Sequence, residues 1–99
     1  MANYHFSKDV DRDLENIAYY TTKRWGKSQT QAYRRDLKRA VETVARFPKI
    51  GQRYNTSQNR QLFRYNIGRH VLFYQVADEG ILIVRILHQA MDFDRYLEG

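Results

Sequence analysis

A chain of 99 residues with 42% hydrophobic and 28% charged residues suits one modest core, and it predicts a single domain over residues 1–99. The absence of cysteine excludes disulfides and thiolate metal sites. No apolar run is long enough for a membrane span or a secretion signal, so we expect a cytoplasmic protein without membrane contacts.

The net charge of +6 is unevenly distributed along the chain. Residues 23–75 hold thirteen Lys or Arg against two acidic residues, which gives this segment a net charge of +11. Such an excess attracts nucleic acid or an acidic protein through long-range electrostatics. A solvated basic surface that serves only solubility gives the same pattern.

A short extended segment at residues 3–6 precedes a predicted helical hairpin. Ser7 stands at the expected N-cap of the first helix, which ends at Gly26. Ser28 opens a pattern like a capping box and predicts a second helix, which Pro48 brings to an end. The apolar stripes are Val10, Leu14, Ile17, Ala18, Thr21 and Trp25 in the first helix and Tyr33, Leu37, Ala40, Val41 and Val44 in the second.

The second helix carries a basic face opposite its apolar stripe, and this face meets either solvent or a partner. Its members are Arg34, Arg35, Lys38, Arg39 and Arg46. The polar segment at residues 49–60 that follows is predicted to be a loop, either mobile or functional.

Three strands are predicted in the second half of the chain. Residues 61–67 alternate, with Phe63 and Ile67 on the same face, and Gly68 marks a turn. The segments 70–76 and 81–88 then form a hairpin across a small, polar connection. Simple alternation along the last strand places Ile81, Ile83 and Leu87 on one face and Leu82, Val84 and Ile86 on the other.

The predicted class is therefore α+β. An N-terminal short strand and an antiparallel helical hairpin pack on a small, mainly antiparallel sheet of about three to four strands. The strand 81–88 lies centrally because both of its faces are apolar. A short C-terminal tail, residues 92–99, docks on the sheet through Phe93, Tyr96 and Leu97.

Several kinds of site are excluded by the sequence. The chain has no glycine-rich phosphate loop and no nucleophile elbow, and its three histidines have no ligand spacing, so we expect neither a metal nor a cofactor. The cations and imidazoles on the predicted sheet remain as candidates for a functional site. Arg64, Arg69, Arg85 and His88 are candidate catalytic residues for metal-independent RNA cleavage, with an imidazole moving protons and guanidinium groups holding phosphate.

A structural role for the same residues competes with the catalytic one. A lone histidine at the end of a strand is commonly a hydrogen-bonded structural residue. Arg85 has tail carboxylates nearby in the sequence, and it is expected to pair with Asp92 or Asp94 under this reading.

Four segments carry a family resemblance over nearly the whole chain. They are DLENIAYYTTKRWG in the first helix, ARFPKIG at the end of the second, LFRYNIGRHVLFYQV in the middle strands, and GILIVRILHQAMD in the last strand. In this order and at these spacings they resemble a ParE-type toxin of the ParE/RelE toxin–antitoxin superfamily.

The resemblance implies the toxin component of a type II toxin–antitoxin pair. Such a toxin inhibits DNA gyrase by protein–protein binding and is not itself an enzyme. A cognate ParD-like antitoxin with a ribbon-helix-helix DNA-binding part neutralises it in a hetero-oligomer, so DNA is met only indirectly through the antitoxin. The alternatives are a RelE-like ribosome-dependent mRNA endoribonuclease that uses the four candidate catalytic residues, and a purely regulatory binding module.

An acidic, amphipathic antitoxin segment is expected to bind the basic part of the surface. It would place apolar residues in a groove on the helices and sheet while its carboxylates pair with guanidinium groups. The candidate partner-binding residues are Arg34, Arg35, Arg64 and Arg69.

Overall fold

The computed structural model describes residues 3–98, and these form five strands and three helices. In chain order the elements are β1 (Tyr4–Phe6), α1 (Val10–Trp25), α2 (Lys27–Arg46), β2 (Gln52–Asn55), β3 (Gln61–Ile67), β4 (His70–Ala77), β5 (Gly80–His88) and α3 (Phe93–Glu98). The predicted α+β class is confirmed, although the sheet has five strands rather than three to four. The last residue of the predicted tail lies outside the described residues.

The strands form one mixed sheet in the order β1-β5-β4-β3-β2. Strands β3, β4 and β5 pair as antiparallel neighbours, as predicted, and β2 adds a further antiparallel strand next to β3. β1 runs parallel to β5, with Tyr4 opposite Ile81. Because β1 is only three residues long, it covers the first half of β5 and leaves the second half of that strand at the edge of the sheet.

The helical hairpin turns at Gly26, whose φ of +91° is a conformation that glycine adopts readily. Both predicted serine caps are wrong. α1 begins three residues after Ser7, and α2 begins at Lys27 without a side-chain cap from Ser28. The Ser7 hydroxyl instead donates to the carbonyl of Val84 at 2.6 Å, because the chain leaving β1 still runs beside β5.

The two faces of the sheet are covered by different elements. α1 and α2 cover one face, and the predicted stripe of α2 is buried there except for the half-buried Tyr33. α3 covers the other face, where Leu97 packs with Phe73 in a second cluster. The predicted stripe of α1 is wrong at its end, since the Trp25 side chain is 55% exposed.

A β-bulge corrects the predicted faces of β5. Phe73 pairs with Arg85 and Tyr74 with Ile83, so β5 carries one extra residue at this point. The extra residue shifts the alternation by one position. Ile81, Ile83 and Ile86 therefore pack against the helical hairpin, whereas Leu82, Val84 and Leu87 pack on the α3 side.

The predicted loop at residues 49–60 contains a strand, β2, which pairs with β3 at the sheet edge. The chain between α2 and β2 is fixed by Tyr74, whose side chain is fully buried. The Tyr74 hydroxyl donates to the carbonyl of Pro48 at 2.7 Å and accepts from the N–H of Gly51 at 3.1 Å. A buried hydroxyl thus supplies hydrogen bonds to two backbone groups that have no hydrogen-bond partner in a helix or strand.

α3 docks as predicted through Phe93 and Leu97, and polar bonds tie it to the segment around β2. Tyr54 Oη donates to the Asp94 carboxylate at 2.6 Å. Arg60 Nη1 donates to the carbonyl of Leu97 at 3.0 Å. Tyr96 is less buried than predicted, with 38% of its side chain exposed.

Candidate functional site

A cleft of about 840 Å³ opens between the C-terminal half of α1 and the ends of β4 and β5. We call it the α1–β5 cleft. The side chains that give it a basic and aromatic character are Lys23, Arg24, Trp25, Arg69, His70 and His88. The uncovered half of β5 forms part of its wall, so the short length of β1 helps to create it.

Two imidazoles meet in the α1–β5 cleft because the hairpin register places His70 opposite His88. Their ring centroids are 5.3 Å apart in an edge-to-face arrangement. Burial, and then the neighbouring His88, lowers the pKa of His70 to about 4. His70 is therefore uncharged near neutral pH, whereas an isolated histidine would be partly protonated.

A hydrogen-bond chain orients the His70 ring. Tyr33 Oη lies 2.6 Å from His70 Nδ1 and donates to the carbonyl of Ile67 at 3.0 Å. The single hydroxyl proton serves one of these two acceptors: with the proton on the Ile67 carbonyl, His70 carries its own proton on Nδ1 and Nε2 is an acceptor, and with it on His70 Nδ1, the ring proton lies on Nε2. Burial also raises the pKa of Tyr33, so its hydroxyl stays protonated.

The second imidazole has one defined tautomer in its neutral form. His88 Nδ1 accepts a hydrogen bond from the N–H of Ala90 at 3.0 Å. In the neutral ring the proton then sits on Nε2. Both imidazoles of the α1–β5 cleft thus have Nδ1 engaged in a hydrogen bond within the domain.

The tight turn between β3 and β4 supports this arrangement. Gly68 has a φ of +55°, and a Cβ atom there would lie 2.8 Å from the Tyr33 ring. Only glycine combines this backbone conformation with that close approach. The predicted turn around Gly68 is confirmed, and its role is to let Tyr33 reach His70.

Trp25 brings two guanidinium groups together at the mouth of the cleft. The Arg24 and Arg69 guanidinium carbons lie 5.4 Å and 5.6 Å from the centroid of the Trp25 ring. These cation–π contacts join the end of α1 to the β3–β4 turn. Trp25 was absent from the predicted site, and His70, one of the imidazoles on the predicted sheet, was given no role in it. Only the basic neighbours of Trp25 and its position before Gly26 signalled an exposed aromatic residue.

Arg85 has a structural partner that the sequence reading did not identify. Its Nε and Nη2 atoms donate to the two Asp13 carboxylate oxygens at 2.8 Å and 2.7 Å. The predicted pairing with Asp92 or Asp94 is wrong, because Arg85 lies at the part of the β5 edge that β1 does not cover, within reach of Asp13 on α1.

Further bonds consolidate this ion pair. The buried Asp13 also accepts the N–H of Ile86 at 3.0 Å, and Arg85 Nη1 donates to the Tyr96 carbonyl of α3 at 3.1 Å. Hydrogen bonding to Asp13 raises the pKa of Arg85 above its ordinary value. The charge of Arg85 is therefore compensated within the fold.

Arg64 lies on the other face of the sheet, beside α3. Its guanidinium carbon is 5.3 Å from the Phe93 ring centroid, and its Nη2 atom donates to Asn66 Oδ1 at 3.2 Å. Of the four candidate catalytic residues, only Arg69 and His88 line the α1–β5 cleft. The structure does not bring the four into one site.

A second depression, the β1–α1–α2 groove, has a volume of about 330 Å³ and a mostly apolar lining. Arg34 lies at this groove with Leu37 and Phe6. Arg35 is exposed on α2 and does not line it. The four candidate partner-binding residues therefore do not share one surface: Arg34 lies at the groove, Arg35 on α2 outside it, Arg64 beside α3 and Arg69 at the α1–β5 cleft.

Within residues 3–98, no group of three or more His, Cys, Asp or Glu residues has an arrangement suited to a metal ion. No described helix is both long and apolar enough to cross a membrane.

Comparison with known proteins identifies the family. Residues 4–93 match the model of the ParE toxin of type II toxin–antitoxin system, parDE. Toxin ParE1 of Mycobacterium tuberculosis, in strains CDC 1551 / Oshkosh and H37Rv, is 39% identical over 98 residues, covering 97% of this chain and 98% of the relative. Toxin ParE1 of Caulobacter vibrioides is 34% identical over 97 residues, covering 98% and 99%.

A solved structure has the same fold. The chromosomal ParDE TA system from P. aeruginosa contains a chain that superposes with a TM-score of 0.73 at 15% identity, covering 89% of this chain and 96% of that one. The family match and the two full-length relatives confirm the resemblance seen in the sequence. This chain belongs to the ParE toxin family of type II toxin–antitoxin systems.

Proposed function

We propose that this toxin inhibits DNA gyrase by protein–protein binding and that a cognate ParD-like antitoxin with a ribbon-helix-helix part neutralises it. Family membership carries this proposal. The toxin acts by occupying a surface of its target rather than by catalysis, and it works in the cytoplasm, where gyrase acts. Its association with the antitoxin produces a hetero-oligomer.

The arrangement of the candidate catalytic residues favours binding over RNA cleavage. Phosphoryl transfer requires the cations to converge on one phosphate. Here Asp13 compensates Arg85, and the sheet separates Arg64 from Arg69 and His88. A ribosome-dependent endoribonuclease remains the second candidate, because His70 supplies next to His88 the additional proton-transfer group that the sequence reading lacked.

Two assays run in parallel test the target. The first measures supercoiling and cleavage-complex formation by purified gyrase, and the second measures ribosome-dependent mRNA cleavage. His88→Ala is compared with the wild type, and His5→Ala is the matched control because His5 is exposed on β1. Gyrase inhibition that persists in both variants, with intact mRNA, is the expected result. Cleaved mRNA that is lost only in His88→Ala would replace this proposal with the endoribonuclease, and inactivity in both assays would leave a binding module.

We propose that the antitoxin binds in the β1–α1–α2 groove. Its apolar lining suits the apolar side of an amphipathic segment, and the exposed Arg34 at the groove suits an acidic residue of the same segment. Arg35, Arg64 and Arg69 lie outside the groove, so contact with them requires the antitoxin to extend around the domain.

Charge reversal tests the groove. Arg34→Glu should weaken antitoxin binding and reduce its dependence on salt, because an ion pair becomes a like-charge contact. Arg53→Glu also reverses one charge, but on β2, at the edge of the sheet opposite β1 and the groove, and it serves as the control. The groove is the wrong site if both variants bind alike in titration calorimetry over a range of salt concentrations.

A further inference from the structure

The α1–β5 cleft has an unbalanced positive charge. Lys23, Arg24 and Arg69 line it, and none of them has an ion-pair partner within residues 3–98. Asp13 is the one carboxylate among the lining residues, and its oxygens are already bonded to Arg85 and the N–H of Ile86. The cleft therefore has three cations free to meet an anion and no free carboxylate to repel one.

Exposed aromatic surface accompanies these cations. Trp25 is 55% exposed beside Arg24 and Arg69, and Tyr20, which also lines the cleft, is 67% exposed. Other rings of the described residues are exposed as well, Phe47 among them, but of these exposed rings only Tyr20 and Trp25 line the cleft, where they lie beside its cations. Aromatic rings and guanidinium planes are the surfaces on which unpaired bases stack, while the guanidinium charge meets phosphate.

The floor of the cleft adds hydrogen-bonding groups of both kinds. The two Nδ1 atoms are bonded to Ala90 and Tyr33, so the Nε2 atoms are the ring nitrogens left for a ligand: the neutral His88 ring donates there, and the His70 ring accepts there when its proton is on Nδ1. A base edge presents donors and acceptors in the same way. The volume of about 840 Å³ exceeds the needs of a lone phosphate ion and lies within the range of sites that hold larger ligands.

We propose that the α1–β5 cleft binds single-stranded nucleic acid, with phosphates at Arg24 and Arg69 and a base stacked on Tyr20. An acidic peptide would satisfy the cations, but it would leave the two exposed rings and the imidazole pair without a function. The family resemblance implied that DNA is met only through the antitoxin. The residues of the cleft favour direct contact with a nucleic-acid strand instead. Such contact does not depend on gyrase being the target.

Trp25 is the only tryptophan of the chain, so its fluorescence reports on the cleft. The purified full chain is titrated with an oligothymidylate of about twelve nucleotides, a length within the site sizes of single-strand binders. Quenching of Trp25, together with a rise in the anisotropy of an end-labelled oligonucleotide, is the expected result. Unchanged anisotropy at low salt would overturn the inference.

Two matched pairs of variants locate the binding. Arg69→Gln should weaken binding several-fold and reduce the slope of log affinity against log salt by about 0.7, whereas Arg53→Gln on β2 should leave both unchanged. Tyr20→Ala should weaken binding roughly tenfold, whereas Phe47→Ala, which removes an exposed ring outside the cleft lining, should not. Equal effects within either pair would mean diffuse attraction to a basic surface, which contradicts a defined site.

Competitors distinguish the class of ligand. An oligoglutamate of equal length and charge should displace the labelled strand poorly, and displacement at the same concentration would assign the cleft to an acidic protein segment instead. Double-stranded DNA or ATP acting as well as the single strand would also overturn the assignment. Failure here leaves the gyrase proposal intact, because the supercoiling assay is scored on inhibition and not on binding of the free strand.

Discussion

The Asp13–Arg85 ion pair offers the most direct test of whether Arg85 is structural. The Asp13 side chain is 6% exposed and that of Arg85 18%, so solvent does little to replace either partner. Asp13→Ala leaves the Arg85 guanidinium and the N–H of Ile86 without their acceptor, and together they lose three hydrogen bonds. Breaking a buried pair in this way costs about 3–5 kcal/mol. That loss is a large part of the roughly 5–15 kcal/mol by which a domain is stable.

A double-mutant cycle measures the pair itself. Asp13→Ala, Arg85→Met and the double variant are unfolded in urea and followed by circular dichroism. Removing both side chains leaves no buried charge without its partner. We therefore expect the double variant to lose about 2 kcal/mol less stability than the two single losses add up to. The exposed pair Asp36–Arg39, with its N···O distance of 3.7 Å, is the control, and its coupling should stay below about 0.5 kcal/mol.

Additive losses for Asp13 and Arg85 would refute the reasoning, because they would mean that the two charges do not stabilise each other. The functional readout is independent of the stability measurement. Arg85→Met should retain the proposed gyrase inhibition at a temperature where it remains folded, since the guanidinium is bonded to Asp13 and to the Tyr96 carbonyl within the domain. Loss of inhibition by a folded variant would instead place Arg85 in the target contact.

Three further predictions follow from buried and bonded polar groups. Between pH 7 and pH 5 the unfolded chain protonates His70, whose ordinary pKa is about 6.5, while the folded chain, with a pKa of about 4, does not. Stability should therefore fall by about 1 kcal/mol after allowance for partial exposure, and urea titrations of His70→Gln should lack that part of the fall. Tyr74→Phe removes a buried hydroxyl that bonds two backbone groups, and it should cost about 1–3 kcal/mol in the same unfolding assay. The Asp94 carboxylate raises the pKa of Tyr54 to about 12, so Asp94→Asn should return it toward 10, as measured by tyrosinate absorbance.

The parts of the fold that the sequence predicted are those in which one local pattern decides the structure. The stripe of α2 recurs over a long helix, and burial of Leu37 and Val44 leaves no competing register. The bounds of β3 matched because Gly68 ends it and a clean alternation runs up to that turn. The predicted start of α1 was wrong because a tertiary contact took over the group expected to cap it, the Ser7 hydroxyl, which bonds Val84 instead.

The candidate site was harder to predict because its residues are joined only by tertiary structure. His70 and His88 are eighteen positions apart, and only the hairpin register makes them neighbours. Asp13 belongs to an acidic first turn of α1 that helix-dipole arguments already explain, so nothing in the sequence marked it as the partner of Arg85. Trp25 fitted the helical apolar stripe of α1. It is nevertheless exposed, because the end of that stripe does not lie over the sheet.

The bulge in β5 connects these corrections. Without the extra residue, strict alternation would place Arg85 on the same face as Ile81 and Ile83, where α1 and α2 pack. The shift lets Ile86 fill that face and leaves Arg85 at the strand edge that β1 does not cover, within reach of Asp13. One added residue thus converts a candidate catalytic cation into a bridge between α1, β5 and α3. Because that bridge compensates the only carboxylate lining the α1–β5 cleft, the cations at the cleft mouth remain available for a ligand.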